Sequence, residues 1–296
     1  MKKTTYIIHK IIKKLGLDNF AAKNAEFIPI LRKFVPEPFE YQRNTIKQVT
    51  RNGVKYDLIV NDYMQWFIYA NMPDNSWRYA LKRISHNGPS AVVIDVGANV
   101  GAFSLGLAKG CLDCGITKIE IVSFEPNPNV YERLLGNIAN NINLKPLINT
   151  EILAIGSQIG MMGMVFEPEN TGHGRISDAD GNYVSVEMTT LDKYFKDKNL
   201  QRLDFIKIDV EGYEPFVIDG AIQTIKIHKP DIYIEITPSW FHERGRSSSL
   251  LFDTLSNLGY QFFYDDIDRL VPLEQKKNCL PFQYNVLATC NVKKFN

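Results

Sequence analysis

The stretch AVVIDVGANVGAFSLGLAKG, residues 91–110, limits the possible folds of this chain more than any other. An unbroken apolar run ends in an acid, Asp95, turns through Gly97 and Gly101, and continues at helical spacing. Strand, glycine turn and helix in that order open a parallel sheet, because parallel neighbours need a long crossover. The pattern recurs downstream. KIEIVSF, EILAI, DFIKIDV and DIYIEI read as strands, and NVYERLLGNIANNI and a short segment from Glu214 read as helices. SSLLFDTLSNLG is a helix with a glycine stop, and YQFFYDD and FQYNVLATC close the chain as two strands. Such alternation predicts an α/β fold with a doubly wound, mostly parallel sheet and helices on both faces. Its ligand belongs at the carboxyl ends of the strands, where strand order switches.

Acids end four of these strands: Asp95, Glu125, Asp209 and Glu235. Gathered on one edge, they repel one another unless a ligand or hydrogen bonds offset the charge. Gly97 allows a sharp turn, Gly101 a close approach at the helix start, and Asn99 tolerates left-handed backbone. The turn is expected to leave helix N–H groups facing an anion, a phosphate or a carboxylate. Against the dinucleotide pattern G-x-G-x-x-G, Asn99 replaces the second glycine and Ala102 takes the third position. A carboxylate at Glu125 can accept from both hydroxyls of a ribose, which suits NAD and S-adenosylmethionine alike. Asp95 favours the second, because an acid in the turn opposes a pyrophosphate and attracts an ammonium.

The block KIDVEG carries the candidate chemistry. Asp209 and Glu211 fall on one side if the strand continues, as carboxylates able to act on an acceptor hydroxyl. Lys207 can pair with Asp209 and weaken it as a base. His173, between two glycines of NTGHGRI on an expected loop, is the alternative base. Glu235 and Lys207 are candidates for the acceptor side. A helix-start acid pair, or a divalent cation held by Asp209 and Glu211, are further readings of the same residues.

Other bounds are broader. Lys plus Arg number 34 and Asp plus Glu 33, so no global basic field marks a nucleic-acid partner. No apolar run approaches the ~18 residues of a membrane span. Lysines interrupt MKKTTYIIHKIIKKLGL and no small-residue cleavage site follows, which argues against a signal peptide. Ile7, Ile8, Ile11, Ile12 and Leu15 recur at helical spacing beside those lysines. They predict a helix packed on its own domain or on a second subunit of a homo-oligomer, or a peripheral membrane contact. Cys111 and Cys114 form a CxxC, but Cys279 and Cys290 give no second close pair, so zinc is not expected. Reduced thiols fit a cytoplasmic location. Residues 1–85 read as an extension of helices and a hairpin around Asn52–Gly53, and 86–296 as the main domain.

VIDVGANVGAFSL, SFEPNP, TTLDKYF and LDFIKIDVEGYE resemble, in order and spacing, the FkbM-type methyltransferases. That resemblance implies a class I methyltransferase, Rossmann-like sheet of seven strands and S-adenosylmethionine as cofactor. It implies a methionine-end loop at Asp95, Gly97, Asn99 and Gly101, and a ribose acid at Glu125. It places Pro126, Asn127, Ala154 and Ile155 around the adenine, and Asp209 beside the transferred methyl. O-methylation of a small-molecule or glycan acceptor, a sugar hydroxyl above all, is the implied activity. Where that family often carries a Tyr-Glu pair, this chain reads NSWRYA, with Trp77. An NAD-linked oxidoreductase and a non-catalytic nucleotide-binding module are the rival readings.

Overall fold

The computed structural model describes residues 3–167, 170–176, 183–266, 269–276 and 280–292. Helices α1 (Lys3–Lys14) and α2 (Leu17–Asn24) come first. Strands β1 (Ile46–Arg51) and β2 (Val54–Ile59) then form the expected hairpin. Asn52 and Gly53 both take positive φ, 48° and 77°, as a two-residue turn between twisted strands requires. Helix α3 (Tyr63–Tyr69) is next, capped by Asp62 accepting from the Gln65 amide, and α4 (Ser76–Ile84) leads into the sheet.

The main sheet uses β3 (Ser90–Val96), β4 (Lys118–Phe124), β5 (Ile148–Glu151), β10 (Phe205–Ile208), β11 (Asp231–Ile236), β12 (Gln261–Asp265), β13 (Leu270–Pro272) and β14 (Tyr284–Thr289). Their order is β13-β12-β14-β11-β10-β3-β4-β5. The five strands from β11 to β5 are parallel, and β14, β12 and β13 add antiparallel pairings. The seven expected strands are present, and β13 adds a short eighth at the edge. Order switches at β3, whose neighbours are β4 and β10, so a crevice opens above these three strands.

EILAI does not stay in one strand. Ile148–Glu151 closes the main sheet, and Ala154–Ile155 leaves it as β6. A second sheet, ordered β6-β9-β7-β8, joins β6 to β7 (Gly160–Glu167), β8 (Asn170–Ile176) and β9 (Val184–Thr189). The β7–β8 hairpin has weak sequence signals, because glycines and methionines dilute its alternation.

Alternation along β3 divides the core. Val92, Ile94 and Val96 point to one apolar layer, covered by α7 (Leu191–Asp197), α8 (Glu214–Asp219), α9 (Ile222–His228), α10 (Pro238–Glu243) and α11 (Ser248–Asn257). Ala91 and Val93 point to the other, under α4, α5 (Ala102–Asp113) and α6 (Pro128–Ala139). That second layer also takes in Ala21, Val49, Leu58 and Tyr69, so one core runs across residues 85 and 86. Trp77 of α4 packs on α5. A Cβ at Gly106 would lie 3.0 Å from the Trp77 ring, so glycine lets the two helices approach. The adjacent Arg83 is buried and joins the extension to the sheet. Its Nε donates to Asp231 Oδ2 (2.6 Å), and its Nη2 donates to Asp231 Oδ1 (3.0 Å) and Thr289 Oγ1 (2.8 Å).

Candidate active site

Register builds the site. Ser123, Asp95, Lys207 and Tyr233 are lateral neighbours on β4, β3, β10 and β11, all on the layer facing α5. Strand period places the residues two positions further on the same side, just past the ends of β3, β4 and β10 and near the end of β11. Those residues are Glu125, Gly97, Asp209 and Glu235, with Asn285 paired to Glu235 on β14. All five line one cavity of about 510 Å³. Asn99, Pro126, Ala154, Ile155, Lys207 and Glu211 line it as well.

Asp95 does not. It lies fully buried one row below, accepting from Ser104 Oγ (2.6 Å), 3.6 Å from Lys207 Nζ. Burial pushes its carboxyl up, against the opposing pull of Lys207 and Ser104. Lys207 reaches Asp209 Oδ2 at 3.1 Å and donates to the Gly97 carbonyl at 3.2 Å. Burial alone would lower its ammonium, but Asp209 and Asp95 raise it further and hold it charged. Asp95 is thus the foundation of the row, and Lys207 stands between it and the cavity-lining Asp209.

The turn after β3 is locked to the next strand. The amides of Gly97 and Ala98 donate to the Phe124 carbonyl at 3.0 and 2.9 Å. A Cβ at Gly97, where φ is 82°, would sit 1.9 Å from the Asp209 carbonyl oxygen, so only glycine fits between β3 and β10. Asn99 takes φ 49°; its amide donates to Glu125 Oε2 (2.9 Å), and its Oδ1 accepts from the Val100 amide (2.8 Å). The Gly101 amide donates to the Ala98 carbonyl. Five successive turn amides, from Gly97 to Gly101, are therefore satisfied within the chain. Gly101 instead makes room for α6: a Cβ there would lie 2.7 Å from Leu134.

Glu125 is held on both oxygens. Oε2 accepts from Asn99, and Oε1 accepts from the Asn127 amide at 2.9 Å. Asn127 is buried as the cap of α6, outside the cavity lining. Burial pushes the Glu125 carboxyl up to about 7, against those two hydrogen bonds. Each oxygen keeps a further lone pair for a ligand hydroxyl.

The strand at KIDVEG ends at Ile208, so alternation does not carry through to Glu211. The chain turns through two left-handed residues, Glu211 (φ 55°) and Gly212 (φ 89°). A left-handed glutamate costs about 1–2 kcal/mol and marks a constrained loop. Glu214 Oε1 accepts from the Val210 amide (2.9 Å), and Arg244 Nη2 donates to the Glu211 carbonyl (3.4 Å). Burial pushes Glu214 up to about 7. Gly212 admits α10 rather than a ligand, since a Cβ would lie 2.7 Å from Trp240. His173 sits in strand β8, not in a loop, and its side chain lies outside the described residues.

Burial, then the neighbouring Asp209, Glu211 and Glu214 carboxylates, push Glu235 well above the ordinary range. Among the described residues, Glu235 Oε2 and Arg244 Nε are buried without a hydrogen-bond partner, and both residues line the cavity. Sequence reasoning missed Asp74, Asn75 and Ser76, the α3–α4 connection that closes the cavity from the extension. It also missed Arg244, Asp265, and Tyr233, whose hydroxyl donates to Asp265 at 2.6 Å. Asp265 had a signal, an acid at a strand end; Asp74 had none. The lining holds six acids, Asp74, Glu125, Asp209, Glu211, Glu235 and Asp265, against Lys207 and Arg244. Such a chamber disfavours a pyrophosphate and suits a cationic ligand with vicinal hydroxyls.

The chain is similar in sequence to known methyltransferases. The methyltransferase FkbM domain model matches residues 95–262. Methyltransferase sdnD of Sordaria araneosa is 25% identical, over 44% of this chain and 60% of that protein. Hexuronic acid methyltransferase AglP of Haloferax volcanii is 26% identical, over 50% of this chain and 58% of that protein. The chain thus spans less than two thirds of either relative. A crystal structure of a methyltransferase FkbM from Methylobacillus flagellatus aligns with 76% of this chain and 52% of that one, at 16% identity and TM-score 0.44. The domain match runs from the acid beneath the turn, through the KIDVEG row, to the strand beyond β11 and covers more than half of the residues, so this chain belongs to the FkbM methyltransferase domain family.

Proposed function

We propose that this protein is an S-adenosylmethionine-dependent O-methyltransferase acting on a sugar hydroxyl. One observation carries the proposal: Glu125, Asp209 and Glu235 stand in a single row over the strand switch, each in a different environment. Glu125, fixed by two amides, accepts from the ribose hydroxyls. Pro126, Ala154 and Ile155 border the adenine, and the Gly97–Asn99 turn holds the methionine end. The residues fit such a cofactor, because the turn's amides are spent internally and the lining is acidic. Bound S-adenosylmethionine supplies a methyl carbon made electrophilic by its sulfonium.

Asp209 is engaged by Lys207 at 3.1 Å. Glu235 is the better base, since burial and like charges push its carboxyl up and its Oε2 has no hydrogen-bond partner, whereas Asp209 is engaged by Lys207. Glu235 would take the proton that the acceptor hydroxyl gives up on methylation. Arg244 Nε is placed to donate to a second acceptor oxygen. A sugar supplies several such groups, and the hexuronic acid methyltransferase among the relatives supports a carbohydrate acceptor. Calorimetry tests the cofactor assignment. S-adenosylhomocysteine should bind and NAD should not; NAD binding without a response to S-adenosylhomocysteine would overturn it.

A further inference from the structure

Helix α1 lies on the protein with its apolar stripe turned outward. At 100° per residue, Ile8, Ile11 and Leu15 fall on one stripe, and all three are exposed. The side that faces the body carries half-buried Ile12 and is otherwise polar. Buried His9 meets Glu40 Oε1 through Nδ1 (2.8 Å) and the Lys33 carbonyl through Nε2 (3.0 Å), and Lys13 donates to the Glu40 carbonyl. The expectation that this helix packs its apolar face on its own domain therefore fails for these residues. The apolar exposure continues past α1, at Phe20 (61%), Phe27 (79%) and Ile30 (54%).

The exposed charge around this face is positive. From residue 8 to residue 40, every exposed charged side chain is a lysine: Lys10, Lys13, Lys14, Lys23 and Lys33. Of the four acids in that span, Glu26 and Glu37 are half-buried, Glu26 accepting from the Asn52 amide (3.1 Å), and the other two are withdrawn. Asp18 is buried against Lys47 (3.0 Å), and Glu40 is taken by His9. A second copy docked symmetrically would set lysines against lysines, which disfavours self-association through this face. Apolar side chains flanked by lysines match a bilayer whose surface is anionic: the first enter the headgroup boundary and the second stay at the phosphates.

We infer that residues 8–34 form a docking face for an anionic membrane surface, with Ile11, Phe27 and Ile30 inserted and the lysines at the headgroups. The face lies outside the cavity, and its docking is independent of methyl transfer. Flotation of the full chain with vesicles tests it. The chain should float with phosphatidylcholine vesicles containing phosphatidylglycerol, sink with phosphatidylcholine alone, and sink again in high salt. Combining Ile11→Ser, Phe27→Ser and Ile30→Ser, all at exposed positions, should lower the partition at least about tenfold with the melting temperature unchanged. Lys10→Glu with Lys14→Glu should do the same, since each basic residue contributes on the order of a severalfold change. Failure to float with anionic vesicles would overturn the inference, as would equal flotation of the serine variant. A wild-type dimer in light scattering that becomes monomeric in the serine variant would also overturn it, by assigning the face to a second copy.

Discussion

At the residue scale, three carboxyls of like chemistry are set apart by what surrounds them. Glu125 is raised to about 7 by burial and is poised to lose a proton when hydroxyl donors favour its charged form. S-adenosylhomocysteine binding near neutral pH should therefore release a proton, read as a dependence of the binding enthalpy on buffer ionisation, and Glu125→Gln should abolish the release. The same shift acts on folding. Glu125 and Glu214 hold protons in the folded chain up to about 7, against an ordinary 4.5. Between those values the folded state binds more protons than the unfolded one, so stability falls as pH rises. The contribution is complete below the lower value and gone above the upper, and each group accounts for on the order of 3 kcal/mol. Melting temperature against pH should show the decline, flattened in Glu214→Gln. For the reaction, Glu235→Gln should lower kcat by about 10²–10⁴ with little change in cofactor affinity, and it should remove the rise of kcat with pH. Asp209→Asn abolishing turnover while Glu235→Gln leaves it intact would return the base to Asp209.

At the element scale, the site depends on how closely β3 and β10 approach beyond their last paired residues. Gly97→Ala places a methyl against the Asp209 carbonyl and demands left-handed backbone from alanine. Denaturant titration should show a loss of about 2–4 kcal/mol, together with weaker S-adenosylhomocysteine binding. Unchanged stability would mean that the turn relaxes freely. This part of the molecule is legible in the sequence. Parallel strands buried on both faces leave long apolar runs, and period two carries each strand-end acid to the cavity side. Glu125, Asp209 and Glu235 could be read for that reason. Residues in the turn after β10 could not be read the same way. Glu211 departs from alternation because the chain enters a left-handed turn, and Gly212 serves α10. Nor could the split of EILAI, since two short apolar strands in different sheets look like one in sequence.

At the scale of the whole molecule, the extension is part of the core and of the cavity wall. Arg83 ties α4 to β11 and β14 through Asp231 and Thr289, and Asp74 to Ser76 close the cavity. Arg83→Ala leaves Asp231 buried without its cation and should destabilise the protein by about 3–5 kcal/mol in a single transition. Two separate transitions would show that the extension unfolds on its own. The extension's contribution was hidden from sequence because no strand register connects Asp74 to the acids of the sheet; only the folded packing of α3 and α4 does. Methyl transfer to a sugar oxygen is the function proposed for the assembled cavity, and mass spectrometry reads it out without an intermediary. The chain is incubated with S-adenosylmethionine carrying a deuterated methyl group and a panel of neutral and uronic-acid glycans. One acceptor should gain the labelled methyl on oxygen, with S-adenosylhomocysteine released in equal amount. Labelled methyl found on nitrogen or carbon of another acceptor class, with every glycan unmodified, would rule out sugar O-methylation.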